Sequence, residues 1–289
     1  MANQPRTAAL FPGQGSSLAG AAELIERQCP ELHSLACELL GGDDPLTRAH
    51  ESTRYAQPAI FLASLAGWQV ARSQGLDAVV LAGHSLGELT ALTAAGCWSQ
   101  ADGVGLVITR AALMAGVADG GDGGMLALLG GEPARTRALA ERFGVAVAHD
   151  NAPGQTVLSG PRAALRGAAR AARIDGIRAI ALDVAGAFHS PAMLPAVEPF
   201  ADAVRAVAPV GPSLPVLSGL TAEPFTDIPA QLGAAIAAPA RWRDVVLALD
   251  AMGVERHLDV GPDAVLARLA RRNLPGCAVA VAGALDEAA

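Results

Sequence analysis

Ala78-Val79-Val80-Leu81-Ala82-Gly83-His84-Ser85-Leu86-Gly87-Glu88-Leu89-Thr90-Ala91-Leu92 runs from an apolar stretch through a tight turn into a helix-like stretch without a gap. The pattern predicts strand, elbow, helix. Its centre reads Gly-x-Ser-x-Gly, in which a serine sits on a sharp turn with its hydroxyl exposed and the next backbone N–H turned toward an oxyanion. Glycines suit positions 83 and 87 because neighbouring backbone must approach closely there. A helix beginning beside Ser85 also favours negative charge at that spot. In a chain with 32 glycines the five-letter pattern alone is weak. The flanking strand and helix are what raise Ser85 to a candidate nucleophile.

The chain has 289 residues, 52% of them hydrophobic and 17% charged, which describes a folded globular protein rather than a disordered one. Apolar stretches are broken by Gly, Arg or Asp before they reach membrane-spanning length, so no transmembrane helix is expected. The first residues show no secretory pattern, which leads to a cytoplasmic expectation. Cys29, Cys37, Cys97 and Cys277 have no metal-ligand spacing and are expected to be free thiols. All 21 basic side chains are arginine, and the net charge of -7 argues against nucleic acid as the main partner.

Outward from the elbow, strands and helices alternate. Thr7–Phe11 reads as a strand entering the turn Pro12-Gly13-Gln14-Gly15-Ser16. One helix is expected over 21–40 and another over 59–73, with Pro58 near its start. A further helix is expected over 100–118; Arg110 lies in it among apolar residues, a position where a solvated arginine is the ordinary reading. Gly120-Gly121-Asp122-Gly123-Gly124 marks a boundary. Beyond it come a strand (125–129), a helix (133–143), strands at 145–151 and 156–159, a helix (161–172) and a strand (178–184). This is the β-α-β-β-α-β order of a ferredoxin-like unit. After it, helix 193–207, strand 216–219, a helix from Pro239-Ala240-Arg241-Trp242 to Met252, strand 257–260 and helix 264–272 resume the alternation. The expected fold is therefore α/β: a mainly parallel, α/β-hydrolase-like sheet over 1–123 and 188–289, with a small ferredoxin-like subdomain inserted over 124–187.

A serine hydroxyl needs an adjacent base. His84 is adjacent in sequence, but consecutive side chains on a sharp turn diverge, so it reads as structural. His33 and His50 lie in polar surroundings, His149 ends a strand of the insert, and His257 begins a strand as a packed residue. His189, in a loop after a strand, is the best candidate. Asp183 is the nearest upstream acid but lies six residues back in a strand. A Ser-His pair with a backbone carbonyl orienting the ring fits better than a full triad.

These residues, with six further pieces in order, resemble the malonyl-CoA:acyl carrier protein transacylases and the acyltransferase domains of polyketide and fatty acid synthases. The further pieces are Phe11-Pro12-Gly13-Gln14-Gly15, Tyr55-Ala56-Gln57-Pro58, Arg110 with Met114, Asn151-Ala152-Pro153-Gly154-Gln155, Pro239 with Trp242, and Val260-Gly261-Pro262. The elbow extends to Glu88, and the candidate base sits in Gly186-Ala187-Phe188-His189-Ser190-Pro191.

The resemblance implies Ser85 as acylated nucleophile, His189 as base, Gln14 and Leu86 as oxyanion-hole N–H donors, and Arg110 as partner of a malonyl carboxylate. It implies ping-pong transfer from a coenzyme A thioester to the phosphopantetheine thiol of an acyl carrier protein, with no metal or bound cofactor. Phe188 is expected to favour malonyl over methylmalonyl, and Gly186 resembles the version in freestanding enzymes that serve polyketide synthases in trans. A glutamine that orients the histidine in bacterial relatives corresponds to Ala235, which retains only a backbone carbonyl. A monomer that touches neither nucleic acid nor membrane is expected. Docking of an acidic carrier must use a local basic patch, either Arg268, Arg271 and Arg272 or Arg162, Arg166, Arg170 and Arg173. An acyl hydrolase, a malonate decarboxylase subunit and a non-catalytic docking module are the competing readings.

Overall fold

The structure is a computed structural model and describes residues 4–282. The outermost positions of the expected large unit, 1–3 and 283–289, lie outside the described residues.

The chain opens with β1 (Thr7–Phe11), then α1 (Ala21–Gln28), α2 (Pro30–Leu39), α3 (Pro45–Arg48) and α4 (Thr53–Ser73). β2 (Ala78–Gly83), α5 (Leu86–Ala94) and α6 (Gln100–Ala118) follow. Next come β3 (Gly123–Leu129), α7 (Pro133–Phe143), β4 (Ala146–Ala152), β5 (Gln155–Pro161), α8 (Arg162–Ile174) and β6 (Arg178–Leu182). The last part holds α9 (Leu194–Ala206), β7 (Val216–Leu217), α10 (Ile228–Ala235), α11 (Trp242–Ala251), β8 (Arg256–Asp259), α12 (Val265–Asn273) and β9 (Ala278–Val281).

Among the described residues these strands form two sheets. One has five strands in the order β7-β2-β1-β8-β9, every pair parallel. The other has four in the order β4-β5-β3-β6, every pair antiparallel. The first is the parallel core that the alternation predicts; the second has the β-α-β-β-α-β chain order. β1 is buried along its whole length, as expected of a strand with both faces covered. Phe11, Phe61, Phe200 and Leu86 lie in the main apolar core beside it.

Three local readings change. The helix expected over 21–40 is two helices, because Pro30 has no N–H to continue the ladder and Cys29 leaves helical geometry with φ -149° and ψ 51°. The helix expected from 59 begins at Thr53, where the Ser52 side chain accepts the N–H of Arg54 as a cap, so Pro58 lies inside it. The sequence pattern predicts none of α3, α10 and β9; β9 joins the sheet beyond β8.

Of the described helices, α6 alone is long and apolar enough to cross a membrane by length and composition. It packs against α2, α4 and α9 and carries the buried Arg110, as a core helix does. The four cysteines are free.

Ala240, in the loop before α11, forms a β-bridge with β4 of the antiparallel sheet. The Ala240 N–H donates to Ala148 of β4 at 2.9 Å, and the Asp150 N–H donates to Ala240 at 3.1 Å. This junction borders the site.

Candidate active site

Ser85 stands just beyond the C-terminal end of β2, the end of a parallel sheet where ligands bind. Its φ of 54° is left-handed, rare for a side-chain-bearing residue and costing about 1–3 kcal/mol. The surrounding backbone holds it there. The His84 N–H donates to Phe11 at 2.9 Å, and the Gly87 and Glu88 N–H groups donate to His84 and Ser85 at 3.0 Å. A Cβ on Gly87 would lie 1.8 Å from the Phe11 carbonyl oxygen, and one on Gly83 would lie 1.9 Å from the Gly87 carbonyl carbon. Both glycines are required by close backbone approach.

His189 reaches this serine from 104 residues away: Oγ and Nε2 are 2.7 Å apart. His189 also has a left-handed φ, 56°. Its Nδ1 lies 2.9 Å from the Ala235 carbonyl and 3.0 Å from that of Ala238. Carbonyls only accept, so Nδ1 carries the proton and Nε2 offers a lone pair to the Ser85 hydroxyl. Burial, then the charge of Arg110, lowers the His189 pKa to about 4, so the ring is neutral near pH 7. Asp183 is exposed and takes no part in orienting the ring.

Arg110 is buried at 5% exposure, contrary to the solvated reading of its helix position. Its Nη1 donates to Gln57 Oε1 at 2.5 Å and its Nη2 to Ser85 Oγ at 3.2 Å. Burial lowers its pKa only to about 10, so it remains charged beside the nucleophile. Gln57 is fixed in turn: its Nε2 donates to Thr53 Oγ1 at 2.9 Å, and Thr53 Oγ1 donates to Gln14 Oε1 at 2.7 Å. The chain Gln14–Thr53–Gln57–Arg110 thus runs along the cleft. Tyr55-Ala56-Gln57-Pro58 was a recognisable piece of sequence, but nothing in it assigned Gln57 to Arg110.

The cleft encloses ≈ 810 Å³; Gln14, Ser85, Leu86, Arg110, Phe188 and His189 all line it. Leu86 is the first residue of α5, so its N–H has no carbonyl one turn earlier to bond. Phe188 is buried. A Cβ on Gly186 would lie 2.6 Å from the Phe188 ring and 2.9 Å from Ala118 Cβ, so glycine there leaves room for the ring.

His84 is turned away from Ser85, as expected, and its Nε2 lies 2.8 Å from Asn151 Oδ1. His149 was placed only at the end of a strand. In the structure its ring packs edge-on between His84 and His189, with centroids 4.8 and 4.9 Å away. Burial first, and then its two histidine neighbours, hold its pKa well below the ordinary value, so it too is neutral. Glu88, buried one helical turn beyond Ser85, accepts the Gly219 N–H at 2.7 Å and the Ser218 hydroxyl at 3.3 Å. Burial raises its pKa to about 7.

A neutral base on a serine, a cation beside it and the Leu86 N–H at a helix start suit acyl transfer. The comparisons agree: the acyl transferase domain family matches residues 34–275, and the chain belongs to that family. Polyketide biosynthesis protein ThaF of Burkholderia thailandensis is 36% identical over 92% of this chain, which spans only 24% of that protein. The malonyl CoA-acyl carrier protein transacylase of Bacillus subtilis is 32% identical, over 92% of this chain and 90% of its own. The crystal structure of acyl-carrier-protein-S-malonyltransferase from Bartonella henselae superposes with a TM-score of 0.90 at 30% identity, covering 98% of this chain and 96% of its own.

Proposed function

We propose that this chain moves a malonyl group from malonyl-CoA to the phosphopantetheine thiol of an acyl carrier protein through an ester on Ser85. In the first half-reaction His189 Nε2 takes the Ser85 proton as Oγ attacks the thioester carbonyl. The backbone N–H groups of Gln14 and Leu86 receive the oxyanion. The tetrahedral adduct collapses, the carbon–sulfur bond breaks, and coenzyme A leaves as thiol with the proton from His189. In the second half the carrier thiol gives its proton to His189, attacks the Ser85 ester and regenerates the hydroxyl. The cycle uses no bound cofactor.

The observation that carries this reading is Arg110, a buried guanidinium with Nη2 3.2 Å from Ser85 Oγ. A planar fork pairs with the free carboxylate of a malonyl group and has nothing to pair with on a neutral acyl chain. Gln57 holds Nη1 of the fork, and Nη2, which donates to the Ser85 hydroxyl, is the arm that faces substrate at the nucleophile. The name of the Bacillus relative supports the same donor and acceptor, and that of the Bartonella relative the same acceptor. Polyketide service in trans is supported by the ThaF likeness and by Gly186 and Phe188, whose buried ring would crowd an α-methyl branch.

Rapid-quench loading from malonyl-CoA and acetyl-CoA, followed by addition of a holo-carrier protein, tests the reading. Malonyl should load faster than acetyl, persist in buffer and discharge to the carrier. Arg110→Ala should cost about 10- to 100-fold in malonyl loading, the worth of a hydrogen-bonded charge pair, while acetyl loading changes little. Loss of the acyl group to water at the same rate with and without carrier would instead mark a hydrolase.

A further inference from the structure

We infer that the arginine stripe of α8 is the surface on which an acidic carrier protein docks, an inference that rests on the transacylase reading. Arg162, Arg166, Arg170 and Arg173 recur at helical spacing along α8, and all four are exposed. The helix contains no acidic residue. In a chain of net charge -7 this is a local reversal of sign.

The stripe rims a groove of ≈ 450 Å³ whose floor includes Met125 and Leu126 of β3 and Ala181 and Leu182 of β6. β6 is an edge strand, so this side of the small sheet is not covered by another strand. The groove adjoins the catalytic cleft: Met125, Arg162 and Leu182 line both. Arg162 Nη2 donates to the Val184 carbonyl at 3.0 Å and Arg173 Nη2 to the Ala179 carbonyl at 3.2 Å, which pins the two ends of the stripe. Among the described residues none of the four arginines is in an ion pair. Ile174 ends the helix with 86% of its surface exposed, an apolar contact beside the charges.

The rival patch on α12 is built differently. Arg268, Arg271 and Arg272 do not line the cleft, and Arg272 is engaged with Gln155 Oε1 at 2.8 Å and the Pro153 carbonyl at 3.2 Å. Both helices carry arginines and no acid, so continuity with the cleft selects α8. A carrier seated there can feed its phosphopantetheine arm past Met125 and Leu182 toward Ser85, with arginine matching acidic side chains and the phosphodiester alike.

The two half-reactions separate this surface from the chemistry. Arg166→Glu/Arg170→Glu is compared with wild type in three assays: malonyl loading of Ser85 from malonyl-CoA, transfer to free pantetheine, and transfer to a holo-carrier protein that wild type malonylates. Loading and pantetheine transfer should stay unchanged, which also shows that the variant folds. Carrier transfer should fall about tenfold or more at low salt, with the gap to wild type closing as salt rises. Unchanged carrier transfer overturns the inference. So does a parallel fall in loading, which would assign the groove to the phosphates of coenzyme A, or a loss seen instead in Arg268→Glu/Arg271→Glu. Failure of wild type to load malonyl would overturn the transacylase reading, and this inference with it.

Discussion

His189 shows how the site's chemistry follows from where single atoms sit. Two carbonyls fix the proton on Nδ1, so Nε2 faces Ser85 as a ready acceptor. Burial and the Arg110 charge lower its pKa to about 4. A lowered histidine pKa means that the neutral, proton-accepting form persists to more acid pH than in a free imidazole. Ser85 acylation should therefore hold its rate from pH 8 down to about pH 5 and fall as His189 protonates near pH 4. Stopped-time loading across that range checks this; a half-loss near the ordinary imidazole value of about 6.5 would contradict it. Ser85 and His189 were legible as candidates from their own surroundings, whereas Arg110 was one only through the family resemblance, its helix position reading as solvated. Their partners were not legible. Gln57 and Arg110 are 53 residues apart and meet only through the packing of α4 on α6. His149 looked like an ordinary strand residue until β4 brought it between two other histidines.

At the level of elements, the elbow depends on β1, β2 and α5 closing on one another with no room for a side chain. A methyl on Gly87 would meet the Phe11 carbonyl, which belongs to the backbone of a buried strand and cannot swing aside. Gly87→Ala should therefore destabilise the protein by more than about 4 kcal/mol, in the range reserved for severe core defects. A urea midpoint close to that of wild type would contradict the packing argument. The elbow was readable because strand, turn and helix are consecutive in sequence. α1 and α2 were misread as one helix because apolar periodicity continues across Cys29, and only Pro30 reveals the break. The start of α4 was misplaced for the converse reason: Pro58 draws attention to itself, whereas the true start rests on the quieter Ser52 cap.

Across the whole molecule Ala240 bridges to β4 a few residues beyond the Ala235 and Ala238 carbonyls that hold His189. Glu88 braces the other side of that region. It binds Gly219, and the Gly219 carbonyl accepts the Arg241 N–H at 2.8 Å, next to the junction. Burial raises the Glu88 pKa from 4.5 to about 7, so between those values the folded protein holds a proton that the unfolded chain has released. The contribution of this group to stability is full below about pH 4.5 and is lost as pH rises through 7. Glu88→Gln removes that titration while keeping an acceptor for Gly219. Its stability relative to wild type should therefore climb from pH 5 to pH 7.5 and then level off, by at most about 3 kcal/mol. A difference independent of pH would contradict the assignment. The parallel core and the ferredoxin-like order were legible from alternating patterns; the junction was not, because it joins β4 to a loop some 90 residues later through two backbone hydrogen bonds that no side chain encodes.

The central claim is that Ser85 carries the acyl group. Mass spectrometry of the intact protein and of its Ser85 peptide, after brief exposure to malonyl-CoA without carrier, tests it most directly, with Ser85→Ala alongside. One malonyl group on the Ser85 peptide of wild type, and none anywhere on the variant, is the predicted result. A malonyl adduct on Ser85→Ala, or on a different peptide of wild type, would contradict the account.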